Sequence, residues 1–234
     1  MRRSTKRLLV VLCVLVAVLA IGLWGRRHVS TTQQSGGASG VTVDKQPVNF
    51  VKRSFEPDAP PADMPPMSPG EQAVCDSNFI SNVSVGGQTE AMDGTHAIVT
   101  ITRVAMKLDL NITIWLPDGA SQHVMDHEAG HRQISEYYYQ SADKLANRIA
   151  ATYIGKKEVV SGSDLDAASN AWLQQMGNEI TDEYGRELNP APTQLRYDLL
   201  TDYSRNGEVA PDVVTQVLKD VVVASNAPVA SVGN

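Results

Sequence analysis

Five residues, His127-Glu128-Ala129-Gly130-His131, hold the chemistry most readily read from this chain. On a helix, positions i and i+4 share a face, so both imidazoles can reach one cation. Zinc takes neutral imidazole nitrogens at about 2.0–2.1 Å and, in catalytic sites, keeps one position open for water. Glu128 would stand beside that water as general base. The competing reading is an amphipathic helix with a polar rim. The position of the pentad on a predicted helix favours the metal, as its mechanism requires.

Two further features of the pentad carry meaning. His123 shares its helical stripe, but lies about 12 Å from His131 along the axis, too far to join one tetrahedral centre. Gly130 costs the helix about 1 kcal/mol relative to alanine. Close approach of another element, or of substrate, above the metal would account for it.

The third ligand must come from elsewhere. Arg132 to Tyr137 contains no histidine, so a carboxylate has to complete the site. Glu136 points away from the histidine stripe. A second helix returning antiparallel would bring Glu183 level with His131, at the end of the apolar stripe Leu165, Ala168, Trp172, Met176 and Ile180. A third helix offers Asp198, with Asp202 beyond it. Glu183 and Asp198 are the two candidates. A tyrosine hydroxyl could stabilise a developing oxyanion. Tyr203, Tyr197 and Tyr184 are better placed for this than the packed triple Tyr137-Tyr138-Tyr139.

The elements that must position these residues follow from periodicity. Ile98 to Thr102 is β-branched, and Met106 to Leu116 alternates apolar and polar side chains, the pattern of a strand with one buried face. Pro117-Asp118-Gly119 ends it as a turn. Ser121 caps a predicted long helix through about Tyr153, closed by Gly155. Ser163 caps a second helix from Asp164 to about Leu188. A third runs from Thr193 to about Arg205, and Pro211 to Val223 forms a short fourth. The sequence thus predicts an α+β domain over residues 71–223, with a small antiparallel sheet packed on helices and a flexible tail over 224–234.

Charge and composition bound what surrounds this domain. Residues 1–53 carry nine Lys/Arg and one acid, whereas the remainder carries 11 basic and 25 acidic residues. So acidic a domain is a poor partner for nucleic acid. Leu8 to Trp24 is a 17-residue run without charge, behind a basic tip at residues 1–7. It predicts a single-pass membrane anchor, uncleaved, in preference to a cleaved signal segment, with the N-terminus cytoplasmic and the domain extracytoplasmic. Residues 25–70, with seven of the twelve prolines, predict a disordered, extended linker. Cys13 and Cys75 form no disulfide framework.

An alternating strand ending in Leu116-Pro117, a helix carrying His-Glu-x-x-His-x-x-Ile (His127 to Ile134), and Tyr-Asp-x-x-Thr (Tyr197, Asp198, Thr201) recur in one bacterial family. The chain resembles that family, a domain of unknown function described as predicted secreted zinc-dependent proteases, over roughly residues 71–207. The resemblance implies a zincin-like helical set, bound Zn2+, a protein or peptide substrate, and Asp198 and Thr201 as site residues. The family's last motif continues to His-Gly. Here Tyr203 takes the histidine's place and the glycine is delayed to Gly207.

Together these residues predict a membrane-anchored, extracytoplasmic zinc peptidase. In it His127, His131 and a carboxylate hold the metal and Glu128 is the base. The alternative is a cell-envelope binding or scaffold module with a structural or vestigial metal site.

Overall fold

From His96 to Pro117 the chain is one extended strand whose apolar residues fall on alternate positions on either side of a single phase change. Ala97, Val99 and Ile101 are buried, then Val104, Met106, Leu108, Leu110, Ile112 and Ile114. The phase changes from odd to even between Ile101 and Val104. There the pairing with the neighbouring strand steps from Gly87↔Ile101 to Gly86↔Arg103. This β-bulge places both halves of the apolar set on the same face; an unbulged strand would turn one half to solvent. The two predicted strand segments are therefore one strand of 22 residues.

A computed structural model describes residues 40–226, with side chains through residue 221. Its five strands are β1 (Gly40–Lys45), β2 (Asn49–Phe55), β3 (Val74–Ala91), β4 (His96–Pro117) and β5 (Lys157–Ser161). β3 forms a long antiparallel hairpin with β4. Asp93 closes its turn by accepting from the backbone N–H groups of Thr95 and His96. The other edge of β4 is covered end to end. β5 pairs antiparallel at His96–Thr100, β1 parallel at Arg103–Leu108, and β2 parallel at Asn111–Pro117.

The domain is thus α+β, but the expected antiparallel sheet requires correction, since β1 and β2 run parallel to β4. Both come from the segment expected to be linker. Its prolines misled, because they sit outside the strands: Pro47 lies between β1 and β2, and the others follow Phe55. Residues 56–73 run through successive turns, with Arg53 paired to Asp63 at 2.6 Å. No helix among the described residues is long and apolar enough to cross a membrane. The single-pass location inferred from the sequence is corrected on that finding; the 8–24 segment that suggested it lies outside the described residues, as does most of the 224–234 tail.

Five helices follow the hairpin: α1 (Gln122–Gln140), α2 (Ala142–Ala151), α3 (Leu165–Glu187), α4 (Ala191–Thr201) and α5 (Ala210–Asn226). Ser121 caps α1, its hydroxyl accepting from Val124 N–H. The long helix expected to reach Tyr153 breaks at Ser141, whose ψ of 8° leaves the helical range. Lys45 of β1 secures the break by donating to the Gln140 carbonyl at 2.8 Å and to Asp143 at 3.1 Å. α3 is capped by Asp164, one residue beyond the expected Ser163.

Burial divides the helices into two groups. α2 and α3 cover the apolar face of β3 and β4, with Ile149, Leu173 and Ile180 in that core. A smaller cluster gathers Ile134 of α1, Tyr197 of α4, and Val213, Val214 and Val217 of α5. At Gly87, a Cβ would lie 2.8 Å from the Thr100 carbonyl oxygen and 3.1 Å from Leu173 Cδ2. Glycine there lets α3 lie against the sheet. Gly87→Ala is expected to destabilise the domain by about 1–3 kcal/mol through overpacking. A urea unfolding midpoint equal to that of the wild type would refute this.

Candidate metal centre

α1 delivers His127 and His131 to one face, as their spacing requires. Their Nε2 atoms stand 3.1 Å apart. Asp198 arrives from α4, with Oδ1 2.8 Å from His131 Nε2 and 3.4 Å from His127 Nε2. Ligands about 2.0–2.1 Å from a tetrahedral centre stand about 3.3 Å from each other, so this triangle has nearly the size zinc needs. These three residues form the candidate metal-ligating group among the described residues.

A proton shared between His131 and Asp198 is the simpler alternative. Among the described residues no N–H is well aligned on the buried Asp198 Oδ1, although His131 Nε2 lies 2.8 Å away. Oδ1 and the two Nε2 atoms face one another across 2.8–3.4 Å. A proton on one Nε2 serves the 3.1 Å contact between the two imidazoles, whereas one cation would serve both imidazoles and the Asp198 carboxylate. The residues present fit a divalent cation.

Electrostatics follow from burial and proximity. Burial holds the His127 imidazole below its ordinary value, with Asp198 opposing. Burial alone would depress His131 too, but close contact with Asp198, its charge and that of Glu128 raise it on balance. For Asp198 burial pushes upward, yet the two imidazoles win and hold the carboxyl low. Burial pushes the Glu128 carboxyl up to about 7, with Glu71 and Asp198 adding to the rise and His131 resisting it.

Glu128, His127, His131 and Asp198 open onto a cavity of about 450 Å³. β3 supplies one wall through Cys75, Ser77 and Phe79, and α4 the other through Ala191 and Gln194. The Cys75 thiol is pushed up to about 12 by burial and by Glu128, so it stays protonated and inert.

Tyr197 lies beneath the site rather than in it. Its buried ring stacks on His127 at 5.0 Å and meets His131 edge-on at 4.9 Å. Its hydroxyl donates to the His127 carbonyl at 3.1 Å. The reason for Gly130 is now specific: a Cβ there would fall 2.2 Å from the Tyr197 hydroxyl and 2.5 Å from Cζ. Another element does approach closely, and it is the helix that carries Asp198.

Of the residues expected at the site, His127, Glu128, His131 and Asp198 come together. Glu183 does not. It accepts from the Tyr153 hydroxyl at 3.0 Å, on a helix that packs against β3 and α2 rather than α1. The break at Ser141 and the intervening β5 invalidate the antiparallel-return geometry. Tyr203 does not line the cavity either; it sits in a left-handed run, Asp202 to Ser204, with Arg205 over its ring at 5.7 Å. Thr201 turns its hydroxyl to the Tyr197 carbonyl within α4. Tyr184 is buried in the main core.

Gln194 is the site residue that sequence reasoning missed. Its signal was its position four residues before Asp198, on the same helix face. No protein-family model, characterised protein or solved structure matches the chain. The family resemblance accordingly rests on its quoted motifs.

Two outcomes follow. Gly130→Ala gains helix propensity worth about 1 kcal/mol, yet is expected to lower net stability by about 1–3 kcal/mol because the buried Tyr197 ring must move. Thermal denaturation measures this, and a stabilised variant would contradict it. In the metal-free protein, Glu128 titrates near 7 when folded against 4.5 as its ordinary value. A raised acid costs the fold stability once it is charged, so the cost is absent below pH 4.5 and full above 7. Metal-free Glu128→Gln is expected to exceed wild type at pH 8 by up to about 3 kcal/mol, at about 1.4 kcal/mol per pH unit. The gap should close below pH 4.5; equal unfolding curves at pH 8 would refute it.

Proposed function

We propose that this domain is a zinc-dependent peptidase. The observation that carries the reading is the convergence of His127 Nε2, His131 Nε2 and Asp198 Oδ1 beside the buried Glu128 carboxyl. Three protein donors leave a tetrahedral cation one open position, the arrangement of catalytic rather than structural sites. That supports hydrolysis over a binding or scaffold module with a structural metal. Two histidines and a carboxylate also suit non-haem iron. A buried acid–base group next to the ligands gives hydrolysis the better use of what is present.

His127, His131 and Asp198 would hold the cation. When bound, zinc supplies a Lewis acid that polarises the peptide carbonyl and acidifies a water. Glu128 takes a proton from water on its carboxylate and passes it to the departing amide nitrogen. The cavity between β3 and α4 would take the chain to be cut, with Phe79 among its lining residues.

Zinc content of the purified protein, followed by cleavage of an unfolded protein substrate, tests this reading. Asp198→Ala is expected to lose stoichiometric zinc. Glu128→Gln is expected to keep zinc and lose about 10²–10⁴-fold of turnover. Activity that survives chelation, or full turnover in Glu128→Gln, would sink the proposal.

A further inference from the structure

The geometry points to Gln194 as a positioning residue: it fixes which nitrogen His131 presents to the cation, and through that sets the affinity of the site. This inference rests on the zinc reading above.

A histidine ligand must carry its proton on one ring nitrogen and offer a lone pair on the other. His131 Nε2 faces His127 and Asp198, while its Nδ1 lies 2.6 Å from Gln194 Oε1. The orientation of the Gln194 amide is settled at its other end. Gln194 Nε2 donates to the His131 carbonyl at 3.1 Å and to Ser135 Oγ at 2.9 Å. A backbone carbonyl only accepts, so the end that meets it must be the amide NH2. The end at Nδ1 is then the carbonyl oxygen, which also only accepts. Nδ1 must therefore carry the proton, and the Nε2 lone pair is left for the cation.

Ser135 holds this arrangement to the sheet. It is fully buried on α1, and its hydroxyl lies 2.8 Å from Ser77 Oγ on β3. With its own proton directed to Ser77 or to the His131 carbonyl, its oxygen is free to accept from Gln194. His127 has no counterpart to Gln194. Its buried Nδ1 has no hydrogen-bond partner among the described residues, and its ring stacks on Tyr197. The hydrogen-bonded orientation of the site thus falls on His131, and Gln194 supplies it.

Competition titration of the full chain with zinc and a chromophoric chelator tests this. Gln194→Leu removes the acceptor at similar volume and is expected to weaken zinc binding about 10–100-fold. Gln194→Glu keeps an acceptor at Nδ1 but loses the donor to the His131 carbonyl and Ser135, and is expected to bind zinc more tightly than Gln194→Leu and less tightly than wild type. In the zinc-loaded protein, the His131 Nδ1–H resonance should be protected from exchange in wild type and Gln194→Glu, and lost in Gln194→Leu. Wild-type affinity in Gln194→Leu, or Gln194→Glu as weak as Gln194→Leu, overturns the inference. Ser135→Ala keeps the question answerable where Gln194→Leu does not fold. Weakening of several-fold supports the role, and unchanged affinity overturns it. A wild-type chain that binds no zinc overturns the metal reading itself, and this inference with it, which distinguishes the two failures.

Discussion

The contact between Gly130 and Tyr197 is the constraint on which the site depends. α1 alone can place two imidazoles on one face, but it cannot supply the third donor. The missing side chain at position 130 lets the Tyr197 ring come against the α1 backbone. The hydroxyl then bonds to the His127 carbonyl, and the ring supports both imidazoles. Asp198 is the next residue of α4, so this packing fixes the position of its carboxylate too. A hydrophobic and steric event thereby determines the spacing of three polar atoms. The local cost of a helical glycine is offset by the burial of a whole tyrosine ring.

The sheet contributes through a different route. β4 is a single long strand only because its bulge restores the inward phase after Ile101. Its partner β3 then carries Cys75 and Ser77 to the mouth of the cavity, where Ser77 meets Ser135 of α1. The wall of the cavity and the support of the histidine helix are thus parts of the same strand. On the far side of the break at Ser141, α2 and α3 attend to the main core and take no part in the site. That separation assigns stability and chemistry to different helices.

The parts that were legible in the sequence are local ones. The pentad, its helix and the alternation of Met106 to Leu116 depend on residues within a few turns of each other. The bulge was not read there: Ile98 to Thr102 and Met106 to Leu116 stood as two segments, and only the pairing with β3 joins them. Asp198 was legible as one of two alternatives, and the choice between it and Glu183 was not. That choice turns on whether α1 continues through Ser141, and a lysine nearly a hundred residues earlier secures the break. The role of Tyr203 failed for a related reason: backbone in the left-handed region after α4 cannot be read from side-chain spacing. Residues 40–55 were misassigned because proline content was averaged over a segment whose strands contain none.

β1 and β2 have a consequence for where this domain begins as a folding unit. They cover most of one edge of β4, and their removal would bare a run of unpaired N–H and C=O groups from Arg103 to Pro117. Such an edge recruits strands from neighbouring molecules. It would also free the carbonyls at the end of α1 that Lys45 now occupies. The chain from residue 40 is thus a built-in edge protector, which joins the solubility of the sheet to the integrity of the helix that bears the histidines.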